Sequence, residues 1–345
     1  MSAPITLRPA AECRFDVVAL GEVMLRFDPG EHRVRTARSF RVSEGGGEYN
    51  VGRALRRVFC HRAALVTAIG NNEIGRLLED LLLQGGMNLD HVVWKEADEV
   101  GRTHRTPLNF TERGFGVRPP MGVYDRANSA TSALCPDDVD WEHLFGDLGV
   151  RWLHTGGIFA GLSDSTLATT RAAISAARAH GTVVSYDVNY RPSLWRASGG
   201  PDAHRRLTAE LLDGVQVLLG VDAGTFAETV EQYVAASPSL AVVATTRRVV
   251  HSASLHDWGA VAWSRADGMI EGSTHEALAV LDRVGGGDGF ASGLVHGLLD
   301  GRPLAEALEL GIAHGALVMT TPGDTSGLDA TDVERLAQGG PTGFR

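Results

Sequence analysis

An α/β fold, with a mostly parallel sheet covered by helices on both faces, is what this sequence predicts, and three observations carry the expectation. Short apolar runs of strand character alternate with segments of helical periodicity, the rhythm of parallel strands joined by helical crossovers. The rhythm persists through most of a 345-residue chain, long enough for one large domain with a small appended subdomain. It breaks once. Residues 91–126 are short-stranded, arginine-rich and turn-rich, and with parts of 24–42 they read as a small β subdomain acting as a lid.

Residues 14–20 (RFDVVAL) have the character of a buried strand. In GEYNVGRALRRVFC, Val51, Ala54, Leu55, Val58 and Phe59 fall on one helical face. AALVTAIG is the next strand and leads to a helix starting near Ile74. Beyond the lid, a strand near 150–154 precedes a helix over 163–179. TVVSYDVN and VQVLLG are strands with a helix around 203–213 between them. AVVATT is a further strand, 249–264 is β-rich, and helices cover about 288–300 and 303–319. The domain is expected over 14–335, with 1–13 and 338–345 as flexible termini.

Composition narrows the function. A formal net charge of −10 argues against nucleic acid, whose backbone needs a positive face. Any anionic ligand must then meet a local cationic patch. Arg102, Arg105, Arg113, Arg118 and Arg126, set against Glu112 and Asp125, supply either such a patch or a solvated basic loop. No apolar stretch approaches the roughly 18 residues that cross a bilayer, and residues 1–13 lack the form of a signal peptide. Cys13, Cys60 and Cys135 are odd in number and far apart, which suits a reducing cytoplasm better than disulfides or zinc. Lys95 is the only lysine, and no G-x-x-x-x-G-K-[ST] run exists, so a P-loop nucleotidase is excluded.

The strongest local signal is LDRVGGGDGFASGLVHGLL, residues 281–299. Gly285, Gly286 and Gly287 let the backbone approach a phosphate, and the N–H groups of the helix start point at it. Asp288 sits in this anion-friendly turn, where a carboxylate makes sense as the acceptor of a proton from an attacking hydroxyl. A plain helix cap is the competing reading. A dinucleotide fingerprint fails because Phe290 occupies the third glycine position. EGGGEYN at 44–50 also opens a helix, as a glycine turn commonly does.

Together these stretches resemble the PfkB (ribokinase-like) sugar kinases, and among them the 2-keto-3-deoxygluconate kinases, from about residue 15 to 335. GGGEYNVGRAL is similar to the family's first signature and LDRVGGGDGFASGL to its second. The resemblance implies a three-layer ribokinase-like α/β/α fold, ATP and Mg²⁺ as cofactors, and Asp288 as catalytic base with Gly285, Gly286 and Gly287 as anion hole. It implies sugar contacts at Gly46 and Asn50, with Asn109, Tyr124 and Arg126 reaching the substrate from the lid. Arg191, in YDVNYRPSLW, matches an arginine that binds the substrate carboxylate, a role suited to bidentate guanidinium donors. Taken without the resemblance, Arg191 reads as a surface arginine and Tyr124 as a packed aromatic. ATTRRVVHSAS resembles the nucleotide-side loop, giving Thr245, Arg247 and Ser254. HGALVMTTPGD resembles the segment beside the adenine, giving His314, while Gly287 also faces the nucleotide. The implied activity is ATP-dependent phosphorylation of a keto-deoxy sugar acid at its terminal hydroxyl. The implied state leaves room for a homodimer through the lid, with no nucleic acid or membrane partner.

Three features differ from the family pattern. Its usual Asn-x-x-Glu, which supports Mg²⁺, is replaced by Gly220-Val221-Asp222-Ala223-Gly224, where Asp222 is a candidate substitute. Asn109 stands where many keto-deoxy-acid kinases carry tyrosine. Asp282-Arg283 replaces Asp-Thr before the glycines, a variation found in the acid-sugar branch. A kinase for a neutral ketose such as fructose, and a catalytically impaired sugar- or nucleotide-binding relative, are therefore the alternatives.

Overall fold

The computed structural model describes residues 5–340. The large sheet has nine strands. In spatial order they are β13 (Gly268–Ala279), β12 (Leu255–Ser264), β11 (Val242–Ser252), β10 (Val217–Leu219), β9 (Val183–Asp187), β8 (Val150–Gly156), β1 (Phe15–Leu20), β4 (Ala63–Asn71) and β5 (Val92–Glu96). Pairings from β11 to β5 are parallel, and β12 and β13 add an antiparallel edge.

Both faces are covered. Along β1, Val17 and Ala19 join one apolar cluster while Val18 and Leu20 join another, the period-2 alternation of a strand between two helical layers. The first layer contains α1 (Gly47–Arg57), α2 (Glu73–Gln84), α8 (Gly286–Leu299), α9 (Leu304–Val318) and α10 (Ala330–Ala337), through Leu55, Leu78, Leu294, Ile312 and Val333. The second contains α3 (Gly157–Ala160), α4 (Asp164–Ala179), α6 (Gly200–Leu211) and α7 (Phe226–Ala236), through Phe159, Ile174, Leu211 and Val230. The short α5 (Pro192–Trp195) seats Trp195. Each fully buried Leu or Ile on these faces contributes about 1.5–3 kcal/mol. No described helix is long and apolar enough to cross a membrane.

A second sheet, ordered β3 (Arg41–Gly45), β2 (Met24–Asp28), β6 (Leu108–Glu112) and β7 (Met121–Asp125), stands apart from the first. Its composition corrects the expected lid boundaries. Residues 92–96 of the 91–126 stretch form β5 at the edge of the large sheet, because Thr67 to Asn71 of β4 pair with Val92 to Glu96. The helix α7 and the strand β13 are further elements the sequence reading omitted. Another correction concerns the N-terminus. Ile5 and Leu7 pack on the core, and Arg8 Nη1 donates to Phe145 O at 2.7 Å, so 5–13 is anchored. Residues 1–4 and 341–345 of the expected flexible termini lie outside the described residues.

Candidate active site

One cavity of about 1260 Å³ lies where both glycine turns, the small sheet and the carboxyl ends of β9 and β10 meet. Two backbone conformations shape it. Gly46 has φ +153, and a Cβ there would stand 2.0 Å from the Glu22 carbonyl oxygen. Gly285 is left-handed at φ +83, and a Cβ there would stand 2.1 Å from the Asp324 carbonyl oxygen. Only glycine fits either place. The first turn starts α1 and carries Glu48 and Asn50 to the cavity; the second starts α8 and carries Asp288.

Asp288 Oδ2 accepts a hydrogen bond from Asn50 Nδ2 at 2.7 Å, so the two glycine signatures meet at one carboxylate. Burial pushes the Asp288 carboxyl up to about 7. The Asn50 bond and the Arg191 charge oppose that rise, and the charges of Asp187 and Asp324 add to it. A carboxyl near neutrality, at a helix N-terminus rich in free N–H groups, can take a proton beside an anion.

Gly46, Asn50, Asn109, Tyr124, Arg126, Arg191, Gly285, Gly287 and Asp288 all line this cavity, so residues from distant parts of the chain converge there. Gly286 does not. It packs against Met319, whose Sδ would lie 3.0 Å from a Cβ there. Among the lid arginines only Arg126 reaches the cavity. Arg113 pairs with Asp28 at 3.3 Å, Arg105 pairs with Asp125, and Arg118 Nη1 donates to Glu31 O at 3.2 Å. The basic stretch is therefore largely bound up within the small sheet and its loops, and one member of five reaches the cavity.

Four residues expected on the nucleotide side lie outside this cavity. Thr245 is buried and donates to Val221 O at 2.6 Å, tying β11 to the loop after β10. Arg247 pairs outward with Glu271 at 3.0 Å. Ser254 Oγ accepts from Gly116 N at 2.9 Å. His314 is fully buried between Ser292 Oγ at 2.8 Å and Ser326 Oγ at 3.1 Å, and burial lowers it to about 4, so it is a neutral bracket between helices.

Other residues at the site were missed. Arg26 of β2 is buried and grips both Asp282 and Asp324, clamping the small sheet to the loop before the second glycine turn. A lone arginine in LRFD carries no signal of this, because its partners are hundreds of residues away. Glu22 is 1% exposed, both of its carboxylate oxygens lack hydrogen-bond partners, and Arg126 Nη1 lies 3.3 Å away. Burial raises Glu22 to about 7 and Glu48 to about 8. Asp187 likewise is raised by burial. Arg248 and Arg283 line the cavity where Arg247 was expected.

Among the described residues no three acids of the cavity enclose an ion by themselves, and the one such trio, His61, His296 and Asp300, lies outside it. Mg²⁺ in kinases is held by one or two carboxylates together with phosphate oxygens and water, and Glu22, Glu48, Asp187, Asp222 and Asp288 line the cavity where it would be held. Asp222, the candidate substitute, is exposed and accepts from Gly224 N at 2.7 Å.

The family of pfkB carbohydrate kinases matches residues 14–331. A 2-dehydro-3-deoxygalactonokinase of Haloferax volcanii is 29% identical, over 95% of this chain and 98% of its own. A 2-dehydro-3-deoxygluconokinase of Bacillus subtilis is also 29% identical, over 94% and 95%. The crystal structure of a 2-dehydro-3-deoxygluconokinase from Thermotoga maritima superposes with a TM-score of 0.82 at 28% identity, covering 93% of this chain and 99% of that one. Full-length likeness joins a cavity in which both glycine signatures converge on one carboxylate, and on those grounds the chain belongs to the pfkB family and is a carbohydrate kinase of ribokinase-like fold.

Proposed function

We propose that this kinase moves the γ-phosphoryl group of ATP to the terminal hydroxyl of a keto-deoxy sugar acid, 2-keto-3-deoxygluconate or a close relative. The observation that carries the reading is the shared cavity, which holds a near-neutral Asp288 at the α8 N-terminus together with Arg126 and Arg191. The terminal hydroxyl gives its proton to Asp288 as its oxygen attacks the γ-phosphorus in line, and ADP departs. Backbone N–H groups at 285–288 face the charge that develops on the transferred group. Arg126 and Arg191 hold the substrate carboxylate, and Gly46, Asn50, Asn109 and Tyr124 contact the sugar. The small sheet acts as a lid that excludes water. A homodimer through this lid is supported by its edge strand β7, where Met121 and Val123 are exposed. Three free cysteines suit a cytoplasmic enzyme.

One observation favours a second reading. Glu22 already stands against Arg126, which suits a neutral ketose better than an acid at that end. ADP release across 2-keto-3-deoxygluconate, 2-keto-3-deoxygalactonate, fructose, ribose and gluconate separates the two. Turnover confined to the keto-deoxy acids is expected. Preference for fructose moves the assignment to a ketose kinase, and sugar binding without turnover makes the chain an impaired binder.

A further inference from the structure

We infer that Arg248 and Arg283 hold the donor's phosphates and neutralise part of their charge, an inference that rests on the kinase reading above. Strand alternation separates neighbours on β11: Arg247 turns outward to Glu271, and Arg248, one residue on, lines the cavity. Arg283 also lines it, two residues before the Gly285 turn. Among the described residues neither guanidinium has an ion-pair partner, although Glu22, Glu48, Asp187 and Asp288 line the same cavity. Like charges crowd there. Arg248, Arg283 and Arg191 are all exposed at the cavity, and partial desolvation followed by the charges of Arg283 and Arg191 lowers Arg248. Solvent screens most of that repulsion in the empty protein, and a polyanion in the cavity meets the guanidiniums as attractive partners. Gly285 and Gly287 of the adjoining turn line the same cavity, so the donor's anionic end meets a helix start and the guanidiniums together. The chain lacks Asn-x-x-Glu in the loop after β10.

The test is calorimetric titration of the full chain with tripolyphosphate in excess chelator. Wild type is expected to bind without metal. Arg248→Gln and Arg283→Gln should each weaken binding roughly 10- to 100-fold. Arg248→Lys and Arg283→Lys should recover much of the loss, which a merely structural role would not produce. In turnover, the glutamine variants should raise the KM for ATP and leave the KM for the sugar acid unchanged. Equal binding by wild type and both glutamine variants would overturn the inference, as would wild-type binding that appears only on adding Mg²⁺. Because the titration needs no turnover, the two readings fail separately. Arginine-dependent tripolyphosphate binding by a chain that phosphorylates no sugar overturns the kinase reading alone. Turnover with an unchanged KM for ATP in both glutamine variants overturns this inference alone.

Discussion

Asn50→Leu isolates the hydrogen bond that joins the two glycine signatures. Asn50 Nδ2 donates to Asp288 Oδ2 at 2.7 Å and opposes the rise that burial imposes on this carboxyl. A hydrogen bond to a charged group contributes about 1.5–3 kcal/mol, which corresponds to about one to two pKa units at 1.36 kcal/mol each. Leucine keeps the volume and removes the donor. Asp288 must be ionised to accept a proton, so wild-type kcat/KM should climb with pH through about 7. In the variant that limb should move up by about one to two units. At pH 7 the ionised fraction then falls from about half to roughly 1–10%, a loss of about 5- to 50-fold that largely recovers by pH 9. The assay is the pH profile of kcat/KM for the acceptor, measured by coupled ADP release. A variant whose loss is the same at pH 7 and pH 9 would refute the reasoning, because Asn50 would then only touch substrate.

Asp288→Asn should lower kcat by about two to four orders of magnitude with little change in acceptor KM, and retained turnover would remove Asp288 from the base role. Arg191→Ala should weaken a keto-deoxy acid far more than the matching neutral ketose, and equal losses in KM for both would mean that it does not read a carboxylate. Glu48 is held at about 8 by burial against an ordinary value of 4.5, so its native-state advantage is complete below pH 4.5 and is lost as pH rises toward 8. Glu48→Gln should accordingly stabilise the empty protein by roughly 2–4 kcal/mol at pH 8 and by almost nothing at pH 4.5, read by denaturant unfolding at both values.

Signals carried within one segment were legible, and signals carried by pairing were not. The apolar alternation of β1 and the one-sided face of α1 are local, so the layered fold was readable from them. Gly285 to Asp288 were readable for the same reason, since a glycine run before an amphipathic helix is a local pattern. Residues 92–96 were misplaced because VVWKE is strand-like in either sheet, and only its register against β4 decides which. On the nucleotide side, ATTRRVVHSAS places two arginines side by side, and strand alternation sends them to opposite faces. Which one faces inward depends on the register of β11 with β12, where Arg247 lies opposite Gly259 and Arg248 opposite Trp258. Glu22 and Glu48 escaped notice for a different reason. Taken alone, each reads as an ordinary solvated acid, and each becomes unusual only when α1 folds over the end of β1 and both carboxyls are buried at one cavity. Burying two acids beside Asp288 without hydrogen-bond partners for Glu22 costs stability that an apolar floor would have kept. That cost is tolerable where the cavity is built to receive a polar, hydroxyl-bearing ligand whose donors can meet those oxygens.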